Sequence, residues 1–257
     1  MQSNRQSLIQ VLRRSRSMSN KWAILLWIGL LELCFQSSAL GMGLRSFVAL
    51  PVEKGGTVLR GVVSHDNETN INQLTANLAY GIDHKKTLLF GVPYRLSSGD
   101  GKQLGDFSLL YRQIVSQADQ PKGTRRIGLL GGAVIPTDSS RDGAFQAGAV
   151  ATWFRDKNEW DIDALYQRGT GDRRDSARYD LSWQHRLIPA VYPEWGIQSE
   201  VYGVVELGGR WQKGASVVHQ FTLGLQWTQG RWVLEGGVIQ DLNGPDATGF
   251  LLSVRFH

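Results

Sequence analysis

The stretch Ala177-Arg178-Tyr179-Asp180-Leu181-Ser182-Trp183-Gln184-His185-Arg186-Leu187 decides how the rest of the chain is read. Ala177, Tyr179, Leu181, Trp183 and Leu187 fall on one face of an extended segment. Arg178, Asp180, Ser182, Gln184 and Arg186 fall on the other, and only His185 interrupts the apolar face. A period of two is that of a β-strand with one wet side and one apolar side.

The alternation recurs on both sides of this stretch. Leu74, Ala76, Leu78, Tyr80 and Ile82 alternate with Gln73, Thr75, Asn77, Ala79 and Gly81, and Phe221, Leu223, Leu225 and Trp227 with Gln220, Thr222, Gly224 and Gln226. About twelve such segments are expected, over residues 57–65, 72–83, 86–97, 105–116, 126–136, 144–155, 158–168, 175–187, 197–209, 216–228, 231–241 and 248–257. Each is close to the ~9–11 residues that a tilted strand needs to cross a bilayer. The breaks between them carry turn chemistry. Asp66–Asn70, Ser97–Lys102, Gly169–Asp172 and Asn243–Asp246 read as outer loops, whereas Asp156-Lys157-Asn158 and Gln229-Gly230 read as short periplasmic turns.

The start of the chain is different in kind. Arg5, Arg13, Arg14, Arg16 and Lys21 precede an apolar run from Trp22 to Phe35, followed by the small residues Ser37, Ser38 and Ala39. That is the pattern of a secretory signal, too short in its apolar part for a comfortable helical span. The expected organisation is a cleaved signal peptide over 1–39 and one domain over 40–257. The formal charge of +5 among 257 residues comes largely from this leader. Without it the charges nearly cancel, at about +1, and the basic composition no longer argues for nucleic acid. The lone cysteine, Cys34, lies in the leader, so neither a disulfide framework nor a cysteine zinc site is expected.

A soluble sandwich also alternates, burying one face in its core. Three features favour a membrane barrel instead. The chain carries an export signal. Its aromatics Tyr94, Tyr111, Trp183, Trp211, Trp227, Trp232 and Phe256 gather near strand ends, as interfacial girdles do. It also closes on an alternating strand, with Phe250, Leu252, Val254 and Phe256 on one face, which resembles the assembly signal read by the outer-membrane insertion machinery. In hydrocarbon every backbone donor and acceptor needs a partner, so such a sheet must close on itself. The expectation is an all-β, antiparallel transmembrane barrel of about twelve strands in the outer membrane of a Gram-negative bacterium.

The stretches Ser46–Gly56 (Ser-Phe-Val-Ala-Leu-Pro-Val-Glu-Lys-Gly-Gly), Gly91–Leu96, Gly105–Arg112 and Gly131–Thr137 resemble the outer-membrane family named for the MetA pathway of phenol degradation. The likeness runs over most of the chain after the leader, through turns and strands, with no catalytic signature. It implies an outer-membrane transporter or channel for small molecules, with aromatic or other hydrophobic compounds suggested by the family name.

Enzymatic motifs do not appear: there is no Gly-x-Ser-x-Gly elbow, no His-Glu-x-x-His, no phosphate loop and no paired cysteine. No cofactor or metal is implied, and none of the histidines His65, His84, His185 and His219 has serine two positions on. Asp161 and Asp163 share a strand face, which suits a cation but more commonly lines a wet lumen. His185 and His219 fall on apolar faces and are expected at an interface or against an aromatic neighbour.

The polar faces supply candidate lumen residues: Asp106, Arg112, Asp161, Asp163, Arg178, Asp180, Arg186, Glu200, Glu206, Arg210, Arg231, Glu235 and Arg255. Mixed signs on one wall predict ladders of opposite charge that partly fill a narrow lumen. Leu110, Leu165, Val204, Val233 and Leu251 on the same faces are candidates for apolar patches along it. The expected partners are outer-membrane lipid, the barrel assembly machinery and a small-molecule solute. Two rival readings remain open at this point: a non-conducting structural or adhesion barrel, and an outer-membrane lipid-modifying enzyme.

Overall fold

The computed structural model describes residues 43–97, 102–189, 199–243 and 247–257; the expected signal peptide, 1–39, lies outside them. The described chain forms twelve strands: β1 (Thr57–Asp66), β2 (Ile71–Asp83), β3 (Lys86–Arg95), β4 (Phe107–Gln120), β5 (Gly123–Ile135), β6 (Ala144–Arg155), β7 (Asn158–Gly169), β8 (Ser176–Ile188), β9 (Ser199–Gln212), β10 (Val218–Gln229), β11 (Trp232–Asp241) and β12 (Thr248–Phe256). Each pairs antiparallel with its neighbours in the sequence, and β1 pairs with β12 from Leu59–Phe256 to Asp66–Gly249, closing the barrel. Closure leaves no unpaired edge.

Alternation places the side chains as a membrane demands. On β7, Glu159, Asp161, Asp163 and Leu165 are buried inside the barrel, while Trp160, Ile162 and Tyr166 stand exposed on the outside. On β12, Leu251, Ser253 and Arg255 face inward, and Phe250, Leu252 and Val254 face out. An outer wall set with Leu, Val, Ile and aromatic side chains is far larger than any apolar patch a water-soluble monomer tolerates. Aromatics ring both ends: Trp160 with Trp183 and Trp232 with Phe256 at one, Tyr166, Tyr179 and Trp211 toward the other.

The end where β1 begins and β12 finishes carries the two-residue turns Asp156-Lys157 and Gly230-Arg231. Asp156 and Gly230 there adopt the left-handed backbone, φ 55° and 57°, that tight hairpins require. The opposite end carries the longer connections β1–β2, β3–β4, β5–β6, β7–β8, β9–β10 and β11–β12. Short turns mark the periplasmic end of an outer-membrane barrel and longer loops the extracellular end. The connection from Ile188 to Ser199 is the long exception at the periplasmic end.

The observed strands fall on the expected segments with one notable extension. β4 runs to Gln120 rather than ending near 116, because a bulge between Ile114 and Ser116 restores pairing of the polar run Ser116–Gln120 with Gly123–Ile127.

The barrel is not hollow. Residues 43–56, ahead of β1, lie inside it as a strap. It touches the wall at mid-barrel near Gly43–Phe47 and descends to the periplasmic mouth at Glu53–Gly56. Its foot is fixed by backbone bonds from Gly55 N–H to Gly81 O (2.8 Å) and from Gly81 N–H to Gly56 O (3.0 Å). Gly81 has to be glycine for this approach: a Cβ there would sit 2.0 Å from the carbonyl oxygen of Glu53.

Candidate functional site: a strapped lumen

Above its foot the strap joins no β-ladder. Its peptide groups, which cannot be left bare in a buried position, are satisfied by wall side chains. The Glu206 carboxylate accepts the backbone N–H groups of Arg45 (3.0 Å) and Ser46 (3.4 Å) and the Ser46 hydroxyl (3.2 Å). Asp163 accepts the N–H of Phe47 at 2.7 Å, and the hydroxyl of Thr152 accepts that of Ala49 at 2.9 Å. On the other side of the peptide units, Arg60 donates to the carbonyl of Leu44 (2.5 Å). Arg112 bridges two carbonyls, donating to Val48 O and, at 2.5 Å, to Leu50 O. Carboxylates and the Thr152 hydroxyl thus hold the strap's donors and arginines its acceptors, and all but the Thr152 bond are charge-assisted bonds of the stronger kind.

Apolar side chains seat the same segment. Ala49 packs in a cluster with Leu110, Ile114, Leu130, Val150 and Leu165, with Phe47 against it. Leu44 packs with Tyr202, Val204 and Leu251. Leu44 also lies over a hollow made by the paired glycines Gly224 and Gly237, where added Cβ atoms would meet its Cδ1 at 2.5 Å and 2.9 Å. The guanidinium of Arg178 stacks 4.2 Å from the Phe47 ring centroid.

Three groups of charges join more than two side chains each, and Arg186 with Glu200 forms a separate wall pair. Asp180 pairs with Arg178 (3.0 Å) and Arg210 (2.7 Å), and Arg178 also reaches Asp163 at 3.6 Å. Glu235 lies between Arg60 (2.6 Å) and Arg255 and accepts from Ser253 (2.5 Å) and Gln226 (3.1 Å), a cluster that spans the β1–β12 closure. At the extracellular rim Asp106 binds Arg141 (2.9 Å) and Arg173 (2.6 Å), tying together three loops. Burial pushes the Asp106 carboxyl up, but the hydrogen bonds from Arg173 and Arg141 outweigh it and hold the group below the ordinary carboxylate value.

The expected lumen residues are therefore placed as follows. Arg112, Asp161, Asp163, Asp180, Arg186, Glu200, Glu206, Glu235 and Arg255 are buried inside the barrel; Arg178 and Arg210 are half-buried. Asp161 is held by Thr152 (2.6 Å) and Gln184 (2.9 Å), and Glu200 by Tyr202 (2.6 Å) and, at 3.9 Å, Arg186. Asp106 lies at the rim just ahead of β4, and Arg231 is exposed in the β10–β11 turn. Alternation fixes which face such residues share with their neighbours, but both stand beyond the end of a strand. The inward apolar residues Leu110, Leu165, Val204 and Leu251 face the strap rather than an open path. Sequence reasoning missed the strap, its partners Arg60 and Thr152, and Glu159, which is fully buried two positions from Asp161 on the same face.

Among the described residues no group of His, Cys, Asp and Glu is arranged to hold a metal ion. His185 meets Asn158 (2.9 Å) and lies 5.8 Å from the Trp183 ring; His219 meets the Tyr179 hydroxyl at 2.8 Å. Both stand at the outer surface near aromatic girdles.

No protein-family model and no curated protein sequence matches the chain. Solved structures match it in fold. The NanC porin superposes with a TM-score of 0.53 at 10% identity, covering 77% of this chain and 99% of that one. An outer-membrane channel from Pseudomonas putida F1 superposes with a TM-score of 0.50 at 16% identity, covering 84% of this chain and 99% of that one. The shared feature is the closed antiparallel barrel. With an apolar exterior, aromatic girdles and a charged interior, this chain is a transmembrane barrel of a Gram-negative outer membrane.

Proposed function

We propose that the protein is an outer-membrane channel for passive passage of small molecules, aromatic compounds among them, and that residues 43–50 are its closure. One observation carries this reading: the element that fills the lumen is attached by side chains alone above its foot, so it can leave without breaking the barrel's own ladder. Release of the strap uncovers two apolar patches, around Leu110 and Leu165 and around Val204 and Leu251, on a wall otherwise set with charges. A wall of that mixed kind suits a small ring carrying a polar group, such as a phenol or a benzoate. The resemblance to the phenol-degradation family supports the same class of cargo. Export by a leader cleaved near Ala39, and insertion by the assembly machinery through the outward face Phe250, Leu252, Val254 and Phe256, belong to this reading.

A second reading, a non-conducting barrel, is favoured by the same filled lumen. Liposome swelling with phenol, benzoate and a neutral sugar separates the two, run on the wild-type barrel and on Arg112→Met. Aromatic solutes are expected to enter faster than the sugar, and faster still in the variant. Absence of flux in both proteins overturns the channel and leaves the structural barrel.

A further inference from the structure

The outside of the barrel is not uniformly studded with large side chains. Across β6–β8 in the extracellular half, Ala147, Ala149, Ala164 and Ala177 lie on the lipid-facing side, with Ala149 directly opposite Ala164. They form the floor of an apolar groove of about 770 Å³, walled by Tyr166 and Trp211. That volume lies within the ~300–1,000 Å³ of built small-ligand sites. A plain lipid-facing wall has no such recess.

The groove ends under a cluster of cations. Arg168 follows Tyr166 on the same outward face of β7, beside the exposed Phe145 with which it is paired. Arg174 is exposed in the β7–β8 loop, and Lys213, just past β9, is tied to that loop by its N–H on the carbonyl of Asp175 (2.8 Å). Among the described residues none of these three cations makes an ion pair. Asp175, in the same loop, accepts from Gly169 N–H (3.0 Å) and the Tyr166 hydroxyl (3.1 Å). Arg168, Arg174 and Lys213 stand at the edge of an apolar trough, with Asp175 and the exposed Asp172 as the acids of the adjoining loop.

We infer that this face is a binding site for one molecule of the phosphorylated glycolipid of the outer leaflet, an acyl chain lying in the alanine groove and a phosphate held by Arg168 and Lys213. The site is at the extracellular end, where that leaflet is. Guanidinium and ammonium groups are the residues that hold phosphate, and a trough of alanines admits a chain that larger side chains exclude. A second copy of this chain fits less well. A two-fold contact presents the same patch on both sides and so sets the Arg168 and Lys213 clusters against each other. The inference rests on the outer-membrane placement and not on conduction.

Native mass spectrometry of the full-length barrel in detergent tests it, with rough-type lipopolysaccharide, its dephosphorylated form and phosphatidylethanolamine as probes. Wild-type barrel is expected to retain the phosphorylated glycolipid at least tenfold better than either other lipid. Arg168→Gln with Lys213→Gln is expected to lower that retention at least tenfold. Ala149→Leu with Ala164→Leu is expected to do the same while leaving the rim charge intact. Heat-modifiable mobility on gels establishes that each variant is folded, and the three-lipid comparison on wild type stands without any variant. Equal retention of the dephosphorylated lipid, unchanged retention in both folded variants, or a dimer formed through this face overturns the inference.

Discussion

Arg112→Met separates the strap from the barrel more cleanly than any other single change. Arg112 is buried, makes no ion pair among the described residues, and spends its guanidinium on the strap carbonyls of Val48 and Leu50, with a further bond to Thr87 at 3.1 Å. Methionine keeps much of the apolar stem against Leu110 and Leu130 and removes the donors. A hydrogen bond to a charged group contributes about 1.5–3 kcal/mol, so two of them give roughly 3–6 kcal/mol. Water entering at the periplasmic mouth recovers part of this. Loss of a buried charge with no carboxylate partner also relieves its desolvation, which leaves the barrel itself little affected. A net loosening of about 3 kcal/mol moves the released-to-seated ratio of the strap by roughly 100-fold, at about 1.4 kcal/mol per factor of ten. Single-channel recording is expected to show a correspondingly longer open fraction. Trypsin provides an independent readout, because the Arg45–Ser46 bond is shielded while Glu206 holds both of its residues. Arg112→Lys, a point charge that cannot bridge two carbonyls in the same way, is expected to fall between the two. A folded Arg112→Met barrel with wild-type current and wild-type resistance at Arg45 refutes the strap as a closure.

Three further outcomes follow from the same geometry. Replacing Glu235 with Leu strands Arg60 and Arg255 across the β1–β12 closure, and a loss of about 3–5 kcal/mol is expected, read as a lower unfolding midpoint in heat-modifiability gels; an unchanged midpoint speaks against this cluster as the lock on closure. Gly81→Val drives a side chain into Glu53 O and Val52 O, and at the ~1–3 kcal/mol typical of overpacking it is expected to displace the strap's foot and expose Lys54 to trypsin without opening the barrel. The rim clasp depends on pH: because the folded Asp106 value is depressed, its stabilisation is fully present above the unfolded value near ~3.9 and is lost as pH falls through the lower folded value. Loop proteolysis at Arg141 is therefore expected to rise only in strong acid, and Asp106→Asn to show that rise already at neutral pH; a rise beginning above pH ~5 contradicts the assignment.

The parts of this structure that can be read from sequence are those governed by a local period. Residues 144–155 and 158–168 were expected as strands and form β6 and β7, because a two-residue repeat of apolar and polar side chains is dictated by lipid on one side and a wet wall on the other. β4 escaped in part because a bulge at Val115 breaks the repeat, and the polar extension beyond it is held by cross-strand pairing alone. The strap escaped wholly. Gly43–Gly56 has no period, and its conformation is set by residues as distant in sequence as Glu206 and Asp163. No window of neighbouring residues contains that information.

The inward apolar residues nevertheless held a trace of the strap. A lumen wall that only lined water would have little reason to place Leu110, Ile114, Leu130, Val150 and Leu165 together on adjacent strands, since each buries its side chain only if something apolar faces it. Equally, a wall meant only to close on itself would pair every charge with a wall charge. Here Arg112 and Glu206 point at peptide groups instead, and Asp163 divides itself between Arg178 and the N–H of Phe47. Apolar patches and unmatched charges on one inner face are together the imprint of a chain segment, which brings both peptide dipoles and hydrocarbon.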